Sequence, residues 1–158
     1  MKVIQKTYKF RLYPNKEQEK MLANYFGSVR FVYNHFLAKR KEQYEQTRKS
    51  SNYYEQAKEL TAMKKTEAYS WLKEINSQTL QHALRHLETA YANFFKGRAR
   101  FPRFHSKKHV GSFAVPQHFK VEGNRVFIPK FKGGIRFAKS QDVQGELRNM
   151  TVSVTPSG

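Results

Sequence analysis

Two kinds of hydrophobic periodicity divide this chain, and their order restricts the folds open to it. Residues 6–13 alternate between apolar and polar side chains, as a half-buried strand does. Residues 16–95 instead carry apolar side chains three and four positions apart, the spacing of amphipathic helices, and strand patterns return only after Gly111. A first strand is most economically paired with later strands of one sheet. The sequence therefore predicts an α+β protein in which a helical block, residues 15–100, interrupts a small β-barrel.

Signals for helix ends give boundaries within the helical block. Asn15 is suited to cap a helix that begins near Lys16, and acidic residues in the first turn favour that start. The Gly-Ser pair at 27–28 predicts a break between two helices, as in a helix-turn-helix, although an αα-hairpin without groove contact fits equally well. Residues 76–77 predict a cap for the clearest helix, 78–95. A shorter apolar stripe between these helices consists of Tyr54, Ala57 and Leu60.

The last third of the chain carries strand and turn signals. Residues 119–128 are typical of a β-hairpin with its turn at 122–124, and residues 131–137 predict a strand bent at two glycines. Residues 150–154 alternate as a last strand, and the turn at 155–158 has no return strand behind it. Because an unpaired edge strand favours aggregation, this pattern predicts a chain that is truncated at its C-terminus.

The charge of the chain favours a polyanionic partner. Thirty lysines and arginines stand against twelve acids, of which only Asp142 is an aspartate, and the formal net charge is +18. No apolar run approaches the length of a membrane span, and the N-terminus has no signal-peptide pattern. We therefore expect nucleic acid and not membrane as the partner, and a cytoplasmic location. The absence of cysteine excludes disulfides and thiolate zinc sites within this sequence.

The helix predicted at 78–95 has one apolar face and one face rich in groups that hydrogen-bond to bases or phosphates. The apolar stripe consists of Leu80, Leu84, Leu87, Tyr91 and Phe94. The opposite face carries Gln78, His82, Arg85, Thr89 and Lys96. A helix with a polar N-terminal face can enter the major groove, and a glutamine such as Gln81 can pair with an adenine edge. A solvated helix surface is the plainer interpretation.

A basic segment with interspersed aromatic residues follows Gly97. Pro102 prevents a continuous helix there, and no acid occurs between Thr89 and Lys120. Together with basic residues of the first strand, it supplies the candidate phosphate contacts, mainly to RNA: Lys9, Arg11, Arg98, Arg100, Arg103, Lys107 and Lys108. Phe101 and Phe104 are candidates for base stacking, although anchoring of this loop in the core is the favoured interpretation.

The sequence gives little support for metal or acyl-transfer chemistry. The pairs His82/His86 and His105/His109 have a helical ligand spacing, but no carboxylate or thiol is placed to complete a zinc site. No Gly-x-Ser-x-Gly turn and no Walker-type loop is present. We therefore expect no cofactor and no catalytic residue.

Several separated motifs, in this order, resemble the N-terminal half of the TnpB (OrfB) family. These are the RNA-guided nucleases of bacterial and archaeal insertion sequences, and they are related to type V CRISPR effectors. The motifs are Tyr-Lys-Phe-Arg-Leu-Tyr-Pro at 8–14, Gly-Ser-Val-Arg-Phe-Val-Tyr-Asn-His-Phe-Leu at 27–37, Ser-Trp-Leu at 70–72, Leu-Gln-His-Ala-Leu at 80–84 with Ala-Tyr-Ala-Asn-Phe-Phe at 90–95, and Phe-Pro-Arg-Phe at 101–104.

The resemblance implies a division of the chain and of its tasks. Residues 1–14 would begin a wedge domain, a β-barrel of the oligonucleotide-binding type, residues 15–100 would form a helical recognition domain, and residues 101–158 would add a basic loop and the remaining wedge strands. These parts hold the scaffold of a guide RNA and read a short motif beside the double-stranded DNA target. In the family a RuvC-type nuclease domain follows. Such a site holds two metal ions with several carboxylates, so this chain is expected to bind and not to cleave.

The resemblance also selects residues for the DNA contact. Tyr53, Ser77 and Gln81 match positions expected near the motif beside the target. With the polar face of the helix, the candidate DNA-binding residues are Tyr53, Ser77, Gln78, Gln81, His82 and Arg85. Two other functions remain open from the residues alone: a stand-alone helix-turn-helix regulator that binds DNA, and a structural RNA-binding protein.

Overall fold

The computed structural model describes residues 6–106, 111–143 and 146–154. Within these ranges three α-helices lie between the first strand and the other strands, which confirms the α+β class. The elements are β1 (Leu12–Tyr13), α1 (Lys16–Thr47), α2 (Tyr53–Lys64), a 3₁₀ helix (Ser70–Glu74), α3 (Ser77–Phe95), β2 (Ser112–Val115), β3 (Lys120–Glu122), β4 (Arg125–Phe127), β5 (Ile135–Phe137) and β6 (Met150–Ser153).

The strands form two antiparallel sheets. The larger has the order β1-β5-β4-β3, and β2 pairs with β6 in the smaller one. Leu12 lies opposite Phe137, so β1 is completed by a strand from beyond the helical block, as predicted. The described strands remain two open sheets and do not close into a barrel.

The N-terminal segment has the predicted faces but a shorter strand. Tyr8, Phe10 and Leu12 are half-buried, while Lys9 and Arg11 are exposed. Only Leu12–Tyr13 forms a strand, although the Arg11 carbonyl still accepts a hydrogen bond from the N–H of Ala138 at 2.9 Å. The alternation therefore identified the buried face correctly and overestimated the length of the ladder.

The predicted break at Gly27 and Ser28 is wrong, because α1 is one continuous helix of 32 residues. It begins where expected, with a capping box in which the Asn15 side chain accepts from the Gln18 N–H at 2.8 Å and the Gln18 side chain accepts from the Asn15 N–H at 3.0 Å. A glycine inside a helix costs about 1 kcal/mol relative to alanine. Burial of Tyr25 and Val32 on either side of it outweighs that cost.

The buried face of α2 is rotated from the predicted one. Tyr54 is 73% exposed, and the helix instead buries Tyr53, Gln56, Leu60 and Met63. The buried stripe contains a glutamine, Gln56. A stripe chosen from apolar residues alone omits Gln56 and begins at Tyr54 instead of Tyr53. The Gln56 side chain is satisfied inside the protein, since it donates to the Phe36 carbonyl at 3.0 Å.

The C-terminal strands are largely as predicted. The hairpin β3–β4 and the last strand β6 are present, and β6 is paired along its length with β2, a partner that the sequence did not indicate. The strand expected at 131–137 is limited to β5, because Lys130 and Gly133 both have positive φ, 68° and 67°. Gly134 is required beside it: an added Cβ would lie 2.9 Å from the Phe127 ring. The turn at 155–158 lies outside the described residues.

Candidate nucleic-acid interface

The N-terminus of α3 is fixed by contacts to α1 and to β2. The Asn76 side chain caps the helix by accepting from the Gln78 N–H at 3.1 Å, and the Asn76 N–H donates to the Tyr25 hydroxyl at 3.1 Å. Tyr25 in turn donates to the Pro129 carbonyl at 3.0 Å, and the Thr79 hydroxyl donates to the Ala114 carbonyl at 2.7 Å. The first turn of α3 is therefore held rigidly, which a surface that recognises a defined ligand requires.

The two faces of α3 are those predicted. Leu80, Leu84, Leu87 and Tyr91 are buried, and Phe94 is half-buried. The exposed candidates on the opposite side are Ser77, Gln81, His82 and Arg85. Because Asn76 provides the cap, the hydroxyl of Ser77 is not used for that purpose.

The surroundings of His82 favour its neutral form. Partial burial, and then the neighbouring His86 and Arg85, lower the pKa of His82 below its usual value. A neutral imidazole offers one donor and one acceptor, as a base edge does. His82 is thus suited to hydrogen bonding more than to charge pairing with phosphate.

Gln78 is less available than Gln81. It is half-buried, and its Nε2 donates to Gln117 Oε1 at 3.3 Å. Its own Oε1 is buried and has no hydrogen-bond partner within the described ranges. Gln117 follows β2, so the packing of β2 against α3 brings it to this helix end. Sequence reasoning missed Gln117, because nothing local links residue 117 to residue 78.

Tyr53 of α2 lies beneath Arg85, one of the exposed candidates on α3. It is 9% exposed, and the Arg85 guanidinium lies 4.2 Å from the centroid of its ring. A cation over an aromatic face is stabilised by the ring quadrupole. As placed, the Tyr53 ring orients Arg85 and offers little surface of its own.

A buried arginine joins the three helices beneath this face. Arg40 is 2% exposed, donates from Nε to Gln56 Oε1 at 2.9 Å, and forms an ion pair with Glu88 of α3. Its guanidinium also lies 4.9 Å from the centroid of the Tyr91 ring. Arg40 was missed in the sequence because arginine is mostly an exposed residue, so its burial is not expected from its type.

The basic loop after α3 is attached by its aromatic residues. Phe101 meets Tyr91 and Phe94 edge to face, with ring centroids 5.5 and 5.2 Å apart. Farther along, the Asn34 side chain forms two 2.8 Å hydrogen bonds with the backbone of His105, whose ring stacks on Tyr33 at 4.1 Å. Phe101 therefore acts as an anchor in this structure.

The arginines of this loop are exposed. Arg98, Arg100 and Arg103 are exposed, and Phe104 beside them is 53% exposed. Phe104 is thus the better placed of the two predicted stacking residues. Lys107, Lys108 and His109 lie outside the described residues.

The candidate cations that the structure describes have no acidic partner among its ion pairs. The ion pairs within the described ranges are Lys39–Glu59, Arg40–Glu88 and Lys139–Asp142. Lys9, Arg11, Arg85 and the three loop arginines are in none of them, so their charges are available to phosphates.

Neither a metal-binding cluster nor a membrane-spanning helix occurs among the described residues. No three histidine, aspartate or glutamate side chains there are grouped so as to hold a metal ion. No helix there is long and apolar enough to cross a bilayer.

Comparison with known proteins places these features in a family. Residues 1–49 match the family model HTH_OrfB_IS605, described as a helix-turn-helix domain. The chain is 40% identical over 148 residues to InsQ of Escherichia coli K12, which is named as a candidate RNA-guided DNA endonuclease. The matched residues are 92% of this chain and 37% of InsQ. A Streptomyces pristinaespiralis protein named in the same way is 42% identical over 108 residues, which are 68% of this chain and 27% of that protein.

A third relative is much shorter. Virulence protein VsdF of Salmonella dublin is 38% identical over 107 residues, which are 62% of this chain and 89% of that protein. The chain thus spans about a third of the length of the two relatives named as endonucleases and most of the length of the third.

Proposed function

Because the chain belongs to the TnpB (OrfB) family of insertion-sequence proteins, whose longer relatives it matches over part of their length, we propose that it is the nucleic-acid-binding part of an RNA-guided DNA endonuclease. In this role it holds a guide-RNA scaffold and contacts the double-stranded DNA motif beside the target. The observation that carries the proposal is the exposed row Gln81, His82 and Arg85 on α3, on the side of the helix away from its buried leucines.

The DNA contact is assigned to the N-terminal half of α3. Gln81 is exposed and free of side-chain hydrogen bonds to the described residues, so both its amide nitrogen and its oxygen are available to an adenine edge. Arg85, supported by Tyr53, is one turn farther along and suited to a guanine edge or a phosphate. Asn76 and Thr79 fix the helix end, so these side chains are presented in one orientation.

The RNA contact is assigned to the basic loop. Its arginines are exposed without acidic partners, while Phe101 and the Asn34–His105 hydrogen bonds hold its backbone in place. A folded RNA presents phosphates at many angles, and single-stranded loops present bases to an exposed ring such as Phe104. Lys107 and Lys108 extend the same basic run in the sequence.

Cleavage is assigned to the RuvC-type domain that accompanies these parts in the family. A two-metal site needs several converging carboxylates. The chain has one aspartate, Asp142, and that side chain is exposed and paired with Lys139.

The experiment is a binding competition in moderate salt. Three ligands are compared: the transcript that spans the 3′ end of the protein's own gene, an unrelated RNA of equal length, and duplex DNA. Preference for the cognate transcript is expected. Equal and steeply salt-dependent binding of all three would contradict the proposal, since charge alone would then explain binding. Preference for one duplex over both RNAs would instead favour a stand-alone regulator, and preference for any folded RNA would favour a structural RNA-binding protein.

Gln81→Ala tests the DNA contact within the same experiment. It should weaken discrimination at one base of the motif by about 1–3 kcal/mol. Gln43→Ala, which changes an exposed glutamine on α1, is the matched control and should leave the discrimination unchanged. An unaltered sequence preference in Gln81→Ala would remove Gln81 from the interface.

A further inference from the structure

A lysine occupies the turn between β4 and β5 in a backbone conformation that favours glycine. Pro129 and Lys130 are the central residues of this turn, which the Phe131 N–H closes by donating to the Ile128 carbonyl at 3.1 Å. Lys130 has a φ of 68°. A turn with proline at its second position and positive φ at its third usually carries glycine or asparagine there, because other side chains strain the backbone. We call residues 128–131 the sheet turn, and we expect the Lys130 side chain to make contacts that offset this strain.

The Lys130 side chain makes such contacts with the segment that leads into α3. Its ammonium donates to the carbonyl oxygens of Lys73 and Ile75, the latter at 3.4 Å. Lys73 lies in the last turn of the 3₁₀ helix, and Ile75 directly precedes the Asn76 cap of α3. A lysine near the C-terminus of a helix can hydrogen-bond the last carbonyls. Lys130 therefore joins the sheet turn to the base of α3.

A second link between the sheet turn and α3 runs through Tyr25 of α1, which is 0% exposed. Its hydroxyl donates to the Pro129 carbonyl at 3.0 Å and accepts from the Asn76 N–H at 3.1 Å. Its ring packs against Phe113 of β2 and Phe131 of the sheet turn, with ring centroids 5.0 and 4.9 Å away. Because the ring is packed on two sides, the hydroxyl that joins the sheet turn to the cap of α3 is held in place.

We propose that Lys130 and Tyr25 are positioning residues for recognition of the DNA motif, and that the sheet turn sets the position of α3 through these two side chains. Neither residue is assigned a contact with nucleic acid. The inference rests on the proposed function, in which Gln81 and Arg85 contact the motif.

Displacement of α3 affects two kinds of DNA contact differently. Bidentate pairing with a base edge depends on the distance and angle of both hydrogen bonds, whereas phosphate contacts carry no sequence information. Loss of either link should therefore reduce discrimination between sequences and leave the non-specific affinity nearly unchanged.

The test measures sequence preference and non-specific affinity on the same protein. The whole chain, together with the transcript that spans the 3′ end of its own gene, is mixed with a pool of DNA duplexes that carry a randomised segment, and the bound duplexes are sequenced. Tyr25→Phe keeps the ring and removes the hydroxyl. It should reduce the preference at the most strongly discriminated base about 5-fold or more, the smallest effect expected when a bidentate base contact is lost. The affinity for the unselected pool, and its dependence on salt, should stay unchanged, because no phosphate contact is removed.

The chain offers two matched controls for Tyr25→Phe. Tyr91 is 5% exposed, and its hydroxyl has no hydrogen-bond partner among the described residues, so Tyr91→Phe should leave the preference unchanged. Val32→Ala removes buried apolar atoms farther along α1 and should lower the melting temperature without a change in preference. A retained preference in Tyr25→Phe, or an equal loss in Tyr25→Phe and Val32→Ala, would overturn the role of Tyr25.

Lys130→Gly tests the other link without damage to the turn, since glycine adopts positive φ readily. It should reduce the preference as Tyr25→Phe does. Lys132→Met removes a positive charge from an exposed side chain of the same loop and should leave the preference unchanged. The role of Lys130 would be overturned if Lys130→Gly kept the full preference, or if Lys132→Met lost as much of it, since charge alone would then explain the loss.

Amide hydrogen exchange supplies a readout that needs no DNA. The Asn76 N–H donates to the Tyr25 hydroxyl, so it should exchange faster in Tyr25→Phe and at its original rate in Tyr91→Phe. Equal exchange rates in Tyr25→Phe and the unchanged protein would contradict the inference. Absence of any preference in the unchanged protein would contradict the proposed function and this inference with it. A preference that Gln81→Ala weakens, and that Tyr25→Phe and Lys130→Gly leave intact, would overturn this inference alone.

Discussion

Replacement of Arg40 by methionine should destabilise the protein substantially, even though the new side chain is apolar and of similar length. Arg40 is 2% exposed and is the donor to the buried amide oxygen of Gln56. An unsatisfied buried acceptor costs about 1–3 kcal/mol. Loss of the contact with the Tyr91 ring adds about 0.5–2 kcal/mol, and loss of the pair with Glu88, which is 42% exposed, adds less than about 1 kcal/mol. The expected change in the free energy of unfolding is about 2–5 kcal/mol.

The assay is urea unfolding followed by far-ultraviolet circular dichroism. With a denaturant slope of about 2 kcal/mol per molar, Arg40→Met should lower the midpoint by about 1–2.5 M. Lys39→Met is the control: Lys39 pairs with Glu59 on the surface, where both side chains are more than a third exposed, and should change stability by less than about 0.5 kcal/mol.

A further variant separates the loss of a donor from the loss of charge. In Arg40→Met with Gln56→Leu, the unsatisfied oxygen is removed as well, so part of the lost stability should return. Some buried ion pairs can be replaced by apolar residues without loss. Arg40→Met at or above the stability of the unchanged protein would therefore refute the reasoning from the Gln56 acceptor.

Three other predictions concern the sheet, pH and the basic loop. Gly134→Ala places a Cβ 2.9 Å from the Phe127 ring and should cost about 1–3 kcal/mol, measured by thermal unfolding. Burial, and then the charge of Lys39, lower the pKa of His35 in the folded protein. The imidazole of His35 therefore binds a proton more readily in the unfolded chain, and the free energy of unfolding should fall as the pH drops below about 6.5. The fall should be less steep in His35→Gln. Phe101→Ala should lower the melting temperature because two ring contacts are lost, whereas Phe104→Ala should leave it unchanged and weaken RNA binding.

Local signals in the sequence predicted the elements whose stability is local. The Asn15 cap, the buried stripe of α3 and the β3–β4 hairpin each depend on residues a few positions apart, and all three are confirmed. The helix break predicted at Gly27 is wrong because the low helix propensity of glycine is outweighed by burial of the residues on both sides. That burial depends on packing against other elements, which the local sequence does not show.

The candidate site was predictable in its exposed parts only. Exposed residues such as Gln81 and Arg85 follow from the period of α3. Arg40 and Gln117 do not, because their roles depend on partners that are distant in sequence. The pairing of β2 with β6 was missed for the same reason. The domain boundaries at residues 14 and 100, and the contacts of the individual site residues with nucleic acid, stay predictions.

The pairing of β1 with β5 has a consequence for synthesis of the protein. Leu12 leaves the ribosome long before Phe137, its partner in the sheet. At about 5–20 residues per second, the interval is about 6–25 s. Helices form within about a microsecond, so α1, α2 and α3 have time to associate while the apolar side of the first strand is still uncovered. A nascent chain stopped before β5 should therefore contain its helices and lack its larger sheet.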